Sequence, residues 1–305
     1  MKLLIVCSSN SGQIATFVQE QGEALEDAGI NVEYFGIEGK GWKGYLKSRK
    51  MLLQKIKEYQ PDLLHAHFGL SGLLANLQRK IPVVTTYHGC DINTLNLRLL
   101  SVFPLLFSKF NIFVSLNQSE KVKYIAKKHA ILPCGIDFKM FYPMDKQLAR
   151  QELAWSTNKK YVLFSSSFSR FEKNAQLAIE AIQKLDNYEL IELDGFNRDE
   201  VRLMMNACDV GLLTSLREGS PMFIKELMAC KRPMISTNVG DVAEQIEGID
   251  GCVIIDYSPE SVIKALKQLE KFEQVDFPKE KYLLIDNKNI ASQLIDIYKN
   301  IKTKN

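Results

Sequence analysis

The 305-residue sequence lacks several features that mark whole classes of protein. Its six cysteines lie far apart and form no CxxC pair, and no histidine stands near them at metal-ligand spacing. This argues against a disulfide framework and a zinc site, and favours reduced thiols in a cytoplasmic protein. No apolar stretch approaches the roughly 18 residues of a membrane-spanning helix, and the first apolar run is too short for a signal peptide. We therefore expect a soluble, cytoplasmic protein.

Internal repeats of 20 to 50 residues and low-complexity tracts are also lacking, so the sequence shows no sign of a repeat architecture. The formal net charge is only +3, but it is unevenly distributed: residues 1–140 carry 17 basic and 11 acidic side chains, and residues 141–305 carry 22 and 25. An acidic or membrane-bound partner therefore suits the first half better than the second. No RNA- or DNA-binding motif accompanies the basic residues, so no nucleic-acid partner is predicted.

Short apolar runs alternate with longer amphipathic stretches, beginning with Leu3–Cys7 and Phe17–Ala28. This alternation predicts parallel strands joined by right-handed helical crossovers. The string PCGIDFKMFYP, Pro133–Pro143, interrupts the pattern with two prolines and a glycine, and the alternation restarts at Tyr161. We therefore predict two doubly wound α/β domains, over residues 1–140 and 141–285. A last helix, residues 286–305, carries an apolar stripe and is predicted to pack back on the first domain.

The segment Glu218–Glu226, EGSPMFIKE, follows an apolar run and opens a helix. We predict Ser220 as its N-cap and Pro221 as its first helical residue. The backbone amides of Met222 and Phe223 would then point out of the helix N-terminus, where the helix dipole favours a phosphate.

Glu218 stands beside this helix start, and Glu226 lies further along the helix. Ionised carboxylates only accept hydrogen bonds, which suits neighbouring hydroxyls on a sugar ring or a ribose. Spacing alone leaves a second interpretation open, in which Glu218 is a solvated loop residue and Glu226 an ordinary helix-surface charge.

The longer string EGSPMFIKELMACKRPMISTNVGDVAE resembles the signature of the family 4 retaining glycosyltransferases of GT-B fold. The resemblance implies two Rossmann-like domains facing a central cleft, and metal-independent transfer from a nucleotide diphosphate sugar. By the same resemblance, Glu218 would bind hydroxyls of the donor sugar and Glu226 the ribose. Backbone amides after Gly219, over Ser220–Phe223, would contact the sugar and the phosphates.

A basic loop, SSSFSRFEK at Ser165–Lys173, follows a predicted strand. Arg170 and Lys173 are placed to meet the diphosphate, whose negative charge grows as the sugar–phosphate bond breaks and otherwise requires a metal ion. The family has an arginine and a lysine at matching positions, so both residues are carried over as catalytic. Taken alone, such a loop is also compatible with simple solvation.

The turn Tyr87–Asp91, YHGCD, also follows a predicted strand. His88 there is compatible with a buried, hydrogen-bonded histidine, but the resemblance places it near the donor sugar as a site residue, with Asp91 beside it. It is not assigned as a general base, because retaining enzymes of this fold are thought to use front-side displacement, in which the leaving phosphate accepts the proton of the acceptor.

His65 and His67 share one face of a strand, but no acidic or cysteine ligand joins them at a plausible spacing, so no metal is predicted. The resemblance places His67 near the acceptor. Gly12 follows the first strand, where relatives carry glycines close to the donor diphosphate. The dinucleotide fingerprint GxGxxG is absent, which argues against a dehydrogenase.

The stretch Lys40–Lys57 contains seven basic residues and no acidic one, interleaved with apolar side chains. One interpretation is a core-packed helix with a solvated basic face. The other is peripheral contact with anionic lipid at the inner membrane face, which would suit a lipid-linked acceptor.

The leading hypothesis is therefore sugar transfer to a glycan or lipid-linked acceptor in cell-surface polysaccharide assembly. The alternatives are a nucleotide-sugar epimerase or hydrolase of the same fold, and a non-catalytic nucleotide-sugar-binding protein.

Overall fold

A computed structural model describes residues 1–10, 12–39 and 41–303, apart from the side chain of Trp42. The chain divides into two compact units. The first comprises Met1–Gly135 together with the residues from Leu284 onward, and the second comprises Ile136–Leu283. The first change of unit falls within the PCGIDFKMFYP string, and the second falls within the helix Lys279–Ile285.

The first unit alternates strands and helices along the chain. In order, its elements are β1 (Lys2–Ser8), α1 (Thr16–Asp27), β2 (Asn31–Ile37), α2 (Gly41–Lys47), α3 (Arg49–Tyr59), β3 (Leu63–His67), α4 (Gly69–Asn76), β4 (Val83–Tyr87), α5 (Cys90–Asn93), α6 (Leu95–Phe107), β5 (Phe110–Phe113), α7 (Leu116–Val122) and β6 (His129–Ile131). The strands form a parallel six-stranded sheet in the order β2-β1-β3-β4-β5-β6.

Two apolar layers cover this sheet. Alternate side chains of β1 point to opposite faces, so Leu3 and Ile5 pack with α1 while Leu4 and Val6 pack with α3 and α4. Strands buried on both faces need near-continuous apolar sequence, and the apolar runs of the sequence supply it. As a result, the loops that follow the strands all meet at the carboxyl edge of the sheet, where α/β folds bind their ligands.

The second unit repeats the architecture on a smaller scale. In order, its elements are α8 (Lys146–Glu152), β7 (Lys160–Phe164), a 3-10 turn (Phe171–Lys173), α9 (Ala175–Ile182), β8 (Tyr188–Glu192), α10 (Arg198–Ala207), β9 (Val210–Leu213), α11 (Met222–Ala229), β10 (Met234–Thr237), α12 (Val242–Ile246), β11 (Cys252–Ile255), α13 (Pro259–Leu269) and α14 (Lys279–Ile285). Its parallel sheet has the order β11-β10-β9-β7-β8.

The last helix, α15 (Asn287–Lys302), packs in the core of the first unit against α1 and β1. Its buried stripe includes Ile290, Leu294 and Tyr298, all fully buried. The spacing of four residues puts them on one helix face, as the sequence pattern indicates.

The fold class agrees with the sequence prediction, with two local corrections. The sequence pattern predicts a helix over Gln118–Lys128, but the observed helix α7 ends at Val122, and the strand β6, which the pattern does not predict, follows it. Ser220 is not the N-cap of α11, because Pro221 holds that position and the Ser220 hydroxyl bonds elsewhere. Within the described part of the chain, no helix is both long and apolar enough to cross a bilayer.

Candidate active site

A polar cluster in the second unit gathers at the carboxyl edge of its sheet. The Lys173 ammonium Nζ lies 2.6 Å from the Glu218 carboxylate oxygen Oε1, although the two residues are 45 positions apart. Their side chains are only 12% and 15% exposed, so Glu218 is not a freely solvated loop residue. Lys173 ends the 3-10 turn after β7 and Glu218 follows the neighbouring strand β9, so adjacent parallel strands bring them together.

Hydrogen bonds fix the loop that carries Glu218. The Ser215 hydroxyl donates to Glu218 Oε1 over 2.7 Å, and the Ser215 carbonyl accepts from the Thr237 hydroxyl at 2.8 Å. The Thr214 hydroxyl donates to the Lys173 carbonyl at 2.9 Å, which ties the two loops to each other. The carboxylate is therefore held by a network rather than by one long side chain alone.

Arg170 does not join this cluster. Its guanidinium is 55% exposed and pairs with Glu172, two residues along the chain, at 2.6 Å. The sequence interpretation treated Arg170 and Lys173 as a pair, whereas the structure buries Lys173 in the cluster and leaves Arg170 toward solvent.

Glu226 lies on α11 and is 5% exposed, so it is not an ordinary helix-surface charge. Its Oε1 atom accepts from the Arg198 guanidinium at 2.5 Å, and Arg198 in turn lies over the Phe141 ring at 4.4 Å from its centroid. Arg198 was not identified from the sequence. It is the first residue of α10, directly after the N-cap Asn197 and within the Asn197–Glu200 capping box, and that helix-start pattern after a strand was the available signal.

The start of α11 is held by the turn that follows β10. A Cβ atom on Gly240, whose φ is +61°, would lie 2.5 Å from the Gly219 carbonyl oxygen, so only glycine fits there. The Ser220 hydroxyl donates to Asp241 at 2.5 Å, and burial raises the pKa of this aspartate. These contacts hold the backbone from Gly219 to Phe223 at the start of α11. The amides in the first turn of a helix have no acceptor within that helix, so those of α11 can donate to a bound group.

The first unit has a second cluster at the carboxyl ends of β3 and β4. His65 and His67 are fully buried and stacked, with ring centroids 4.5 Å apart. His67 Nδ1 is 2.9 Å from His88 Nε2, and His88 Nδ1 is 3.4 Å from the Cys134 sulfur. Burial lowers the pKa of His67 to about 3 and holds that of His65 well below its usual range, so both are neutral at physiological pH.

The two histidines of β3 face different partners. His65 contacts the Thr86 hydroxyl at 2.7 Å and the Tyr298 hydroxyl, from α15, at 2.6 Å. His67 Nε2 is buried without a hydrogen-bond partner among the described residues. His65 therefore has a structural role that ties the last helix to the sheet, while His67 is directed to His88.

Asp91 is buried beneath the same turn. Its carboxylate accepts from the backbone amides of Gly89 at 3.0 Å and of His88 and Gly69 at 3.2 Å. Burial nevertheless raises its pKa to about 6. Asp91 thus holds the turn that presents His88 and does not itself reach the surface.

Gly12 lies on the exposed loop after β1 with a φ of +88°, and its amide donates to the Ser9 carbonyl at 2.9 Å. Its neighbour Ser11 lies outside the described residues. No cluster of three or more potential metal ligands occurs among the described residues.

Two family models match the chain. The one described as Glycosyltransferase Family 4 matches residues 13–139, and the one described as Glycosyl transferases group 1 matches residues 180–271. Solved structures share the fold over nearly the whole chain. Sucrose-phosphate synthase from Thermosynechococcus elongatus aligns with a TM-score of 0.82 at 17% identity, covering 100% of this chain and 99% of its own. HepE from Anabaena, solved with UDP-glucose, aligns with a TM-score of 0.71 at 16% identity, over 100% and 99%.

The two parallel-sheet units, with polar clusters at their carboxyl strand edges, define the GT-B class of fold. Within that class, the chain belongs to the family 4 and group 1 glycosyltransferases, as the resemblance in the sequence implied.

Curated relatives agree with this assignment. The Bacillus subtilis (strain 168) protein named "Putative teichuronic acid biosynthesis glycosyltransferase TuaC" is 25% identical over 264 residues, 74% of this chain and 65% of that protein. N-acetyl-alpha-D-glucosaminyl L-malate synthase from Bacillus anthracis is 25% identical over 225 residues, 61% of this chain and 59% of that protein. The chain thus spans about two thirds or less of the length of these two relatives.

Proposed function

We propose that this chain is a retaining glycosyltransferase that moves a sugar from a nucleotide diphosphate sugar to a glycan or lipid-linked acceptor in polysaccharide assembly. The observation that carries the proposal is the buried pair of Lys173 and Glu218 beside the start of α11. A cation and a hydroxyl-binding carboxylate at a helix N-terminus match the two ends of a sugar diphosphate. The UDP-glucose complex of HepE and the name of TuaC support the donor class and the pathway type.

In this proposal each part of the second unit has one task. Glu218 accepts hydrogen bonds from hydroxyls of the donor sugar, and Glu226 accepts hydrogen bonds from hydroxyls of the ribose. Lys173 and the amides of α11 stabilise the charge that develops on the diphosphate, with Arg170 leaving Glu172 to join them. These groups would make transfer independent of a metal ion, because fixed positive charge and amide dipoles replace it.

Lys173 and Glu218 neutralise each other. A donor offers both of them better partners, since its phosphates attract the ammonium and its hydroxyls donate to the carboxylate. In the first unit, His88, held by Asp91 and His67, is the group proposed to meet the sugar, and Gly12 the one that allows a phosphate to approach the backbone. Transfer then follows front-side displacement without a protein nucleophile.

The donor is tested by thermal unfolding with a panel of nucleotide sugars. At about 100 times the dissociation constant, the correct donor adds about 2.7 kcal/mol to the stability of the folded state. We expect Glu218→Gln, which keeps the shape but loses the charge, to lose the extra stabilisation by the sugar while retaining that by the nucleoside diphosphate. Glu189→Gln, a charge loss at an exposed pair with Lys159, is the matched control.

Release of nucleoside diphosphate only when an acceptor fraction is present would separate a transferase from a hydrolase or epimerase. No stabilisation by any nucleotide sugar, or the same stabilisation in the Glu218→Gln variant, would contradict the proposed donor site.

We also propose that α2 and α3 contact an anionic membrane surface. Tyr45 and Leu52 of these helices face the core, but Met51 is 65% exposed, and Lys43, Lys47 and Lys50 are exposed as well. Lys40, the first residue of the basic stretch, and the Trp42 side chain lie outside the described residues. Reversing the charges of Lys43, Lys47 and Lys50 should reduce flotation with anionic vesicles, and unchanged flotation would contradict this contact.

A further inference from the structure

A cationic cavity lies at the amino edge of the first sheet, where β4, β5 and β6 begin. It has a volume of about 710 Å³. None of the described residues that line it is acidic, and its basic lining residues are Arg79, Lys80, Lys109, Lys127 and Lys128. Because the strands are parallel, this edge is opposite the one that carries His67 and His88, so the cavity is separate from the candidate active site.

The charges of this cavity are not compensated within the described part of the chain. No carboxylate there lies within ion-pair distance of any of the five cations. Like charges gathered around one depression repel one another, and an anion placed among them relieves the repulsion. The cavity therefore favours a ligand that carries negative charge.

An apolar stripe on α6 leads to this cavity. Leu95, Leu99 and Leu106 are 63%, 65% and 58% exposed, and their spacing of four and seven residues puts them on one helix face. Leu106 and the next residue, Phe107, line the cavity itself, and the Arg79 guanidinium lies 4.3 Å from the Phe107 ring centroid. The surface thus joins exposed apolar side chains directly to uncompensated cations.

The same helical layer contains the basic helix. The crossovers from β2 to β3, β3 to β4 and β4 to β5 all run in one direction across the sheet, so right-handed connections put α3, α4 and α6 on one face. α4 contacts both α2 and α6. The exposed Met51 of α3 and the stripe of α6 therefore belong to one layer of the first unit.

We infer that the α6 stripe and the cationic cavity form a docking surface for an anionic phospholipid bilayer. Leu95, Leu99 and Leu106 enter the boundary between headgroups and acyl chains, and the cavity cations bind lipid phosphates. A soluble phosphate compound would use the cations but leave the apolar stripe exposed, which favours the bilayer. The inference extends the proposed α2–α3 contact but does not require it, and it does not depend on glycosyl transfer.

The test is flotation of the full chain with vesicles of phosphatidylcholine alone or mixed with phosphatidylglycerol. We expect flotation only with the mixed vesicles. Since each cation near the surface contributes about a fivefold change in partitioning, the Lys109→Glu, Lys127→Glu double variant should bind at least about 25-fold more weakly. Leu99→Glu, which places a charge in the stripe, should also abolish flotation. Lys264→Glu with Lys267→Glu, two exposed lysines of α13, is the matched control and should change binding less than about twofold.

The other outcomes separate this surface from its alternatives. Unchanged flotation of both the α6 and the cavity variants would overturn the inference, as would equal binding to uncharged vesicles. Loss of flotation only in the variant with reversed charges at Lys43, Lys47 and Lys50 would restrict the membrane contact to α2 and α3 and would overturn the inference. Stabilisation by soluble pyrophosphate that depends on Lys109 and Lys127, without flotation, would assign the cavity to a soluble ligand. An unchanged midpoint of thermal unfolding would verify that each variant remains folded.

Discussion

Replacing Lys173 by methionine is expected to lower kcat/KM for glycosyl transfer by about 10²–10³-fold, the usual cost of removing one preorganised group that stabilises transition-state charge. Methionine keeps the apolar stem but cannot neutralise the leaving diphosphate. The loss should fall mainly on kcat, because charge on the leaving group grows only as the bond breaks. The measurement is steady-state kinetics with the donor found in the panel, together with the free energy of unfolding of each variant.

Lys184→Met is the matched control for this experiment. Lys184 is also paired with a glutamate, Glu260, but its side chain is 53% exposed, and the residue follows the C-terminal end of α9, whereas Lys173 precedes the start of that helix. A loss of less than about tenfold for Lys173→Met, or an equal loss for Lys184→Met, would rule out the proposed role.

Arg170→Met then tests the movement that the proposal requires. A loss comparable to that of Lys173→Met means that Arg170 leaves Glu172 when the donor binds. A small loss means that Lys173 acts with the α11 amides alone.

Acidification is expected to destabilise the protein strongly through His67. The pKa of His67 is about 3 in the folded chain, whereas the ordinary value for histidine is 6.5. As the pH falls below 6.5, His67 therefore becomes protonated in the unfolded chain but stays neutral in the folded chain, which favours unfolding. The stability contributed by this neutral histidine is fully present above pH 6.5 and is lost as the pH falls toward 3. The difference of about 3.5 pKa units corresponds to about 5 kcal/mol, comparable to the whole stability of many domains.

The effect is measured as the difference between wild type and His67→Asn in the free energy of unfolding, from pH 7 to pH 4. Asparagine retains a nitrogen near the position of Nδ1 but does not titrate. Asp91 has the opposite effect on stability, because its pKa is raised from 3.8 to about 6 in the folded chain. Its contribution to the free energy of unfolding therefore falls as the pH rises from about 4 to 6. The difference curve cancels Asp91 and isolates His67.

His129→Asn, at the exposed histidine, is the control for this series. If the difference curve between wild type and His67→Asn were flat over this pH range, His67 would not be held neutral by burial. A wild-type advantage that shrinks steadily with acid would support it.

The sequence predicted the fold because its periodicity reports local geometry. Apolar runs of four to seven residues became buried parallel strands, and the helix predicted over residues 286–305 became α15, which packs on the first unit. Placing Glu218 and Lys173 in loops after strands was enough to put them at one sheet edge.

Partner choice at that edge was not predictable from the sequence. A long side chain such as that of Arg170 can reach several acceptors, and only the backbone path decides that it pairs with Glu172 while Lys173 pairs with Glu218. Arg198 was missed because nothing local connects it with Glu226, 28 residues later. The error at Ser220 has the same cause, since its hydroxyl donates to Asp241, in the turn after β10, instead of capping its own helix.

By itself, the sequence determined the two doubly wound units, their order along the chain and the family, because these depend on patterns over neighbouring residues. The tertiary structure alone decided which charged side chains form ion pairs, which histidines are buried away from water, and which cations have no carboxylate partner. The contact between Tyr298 and His65 spans 233 positions, and the cationic cavity combines residues from three separate segments. Such contacts depend on distances set by the whole packed fold, so local periodicity contains no information about them.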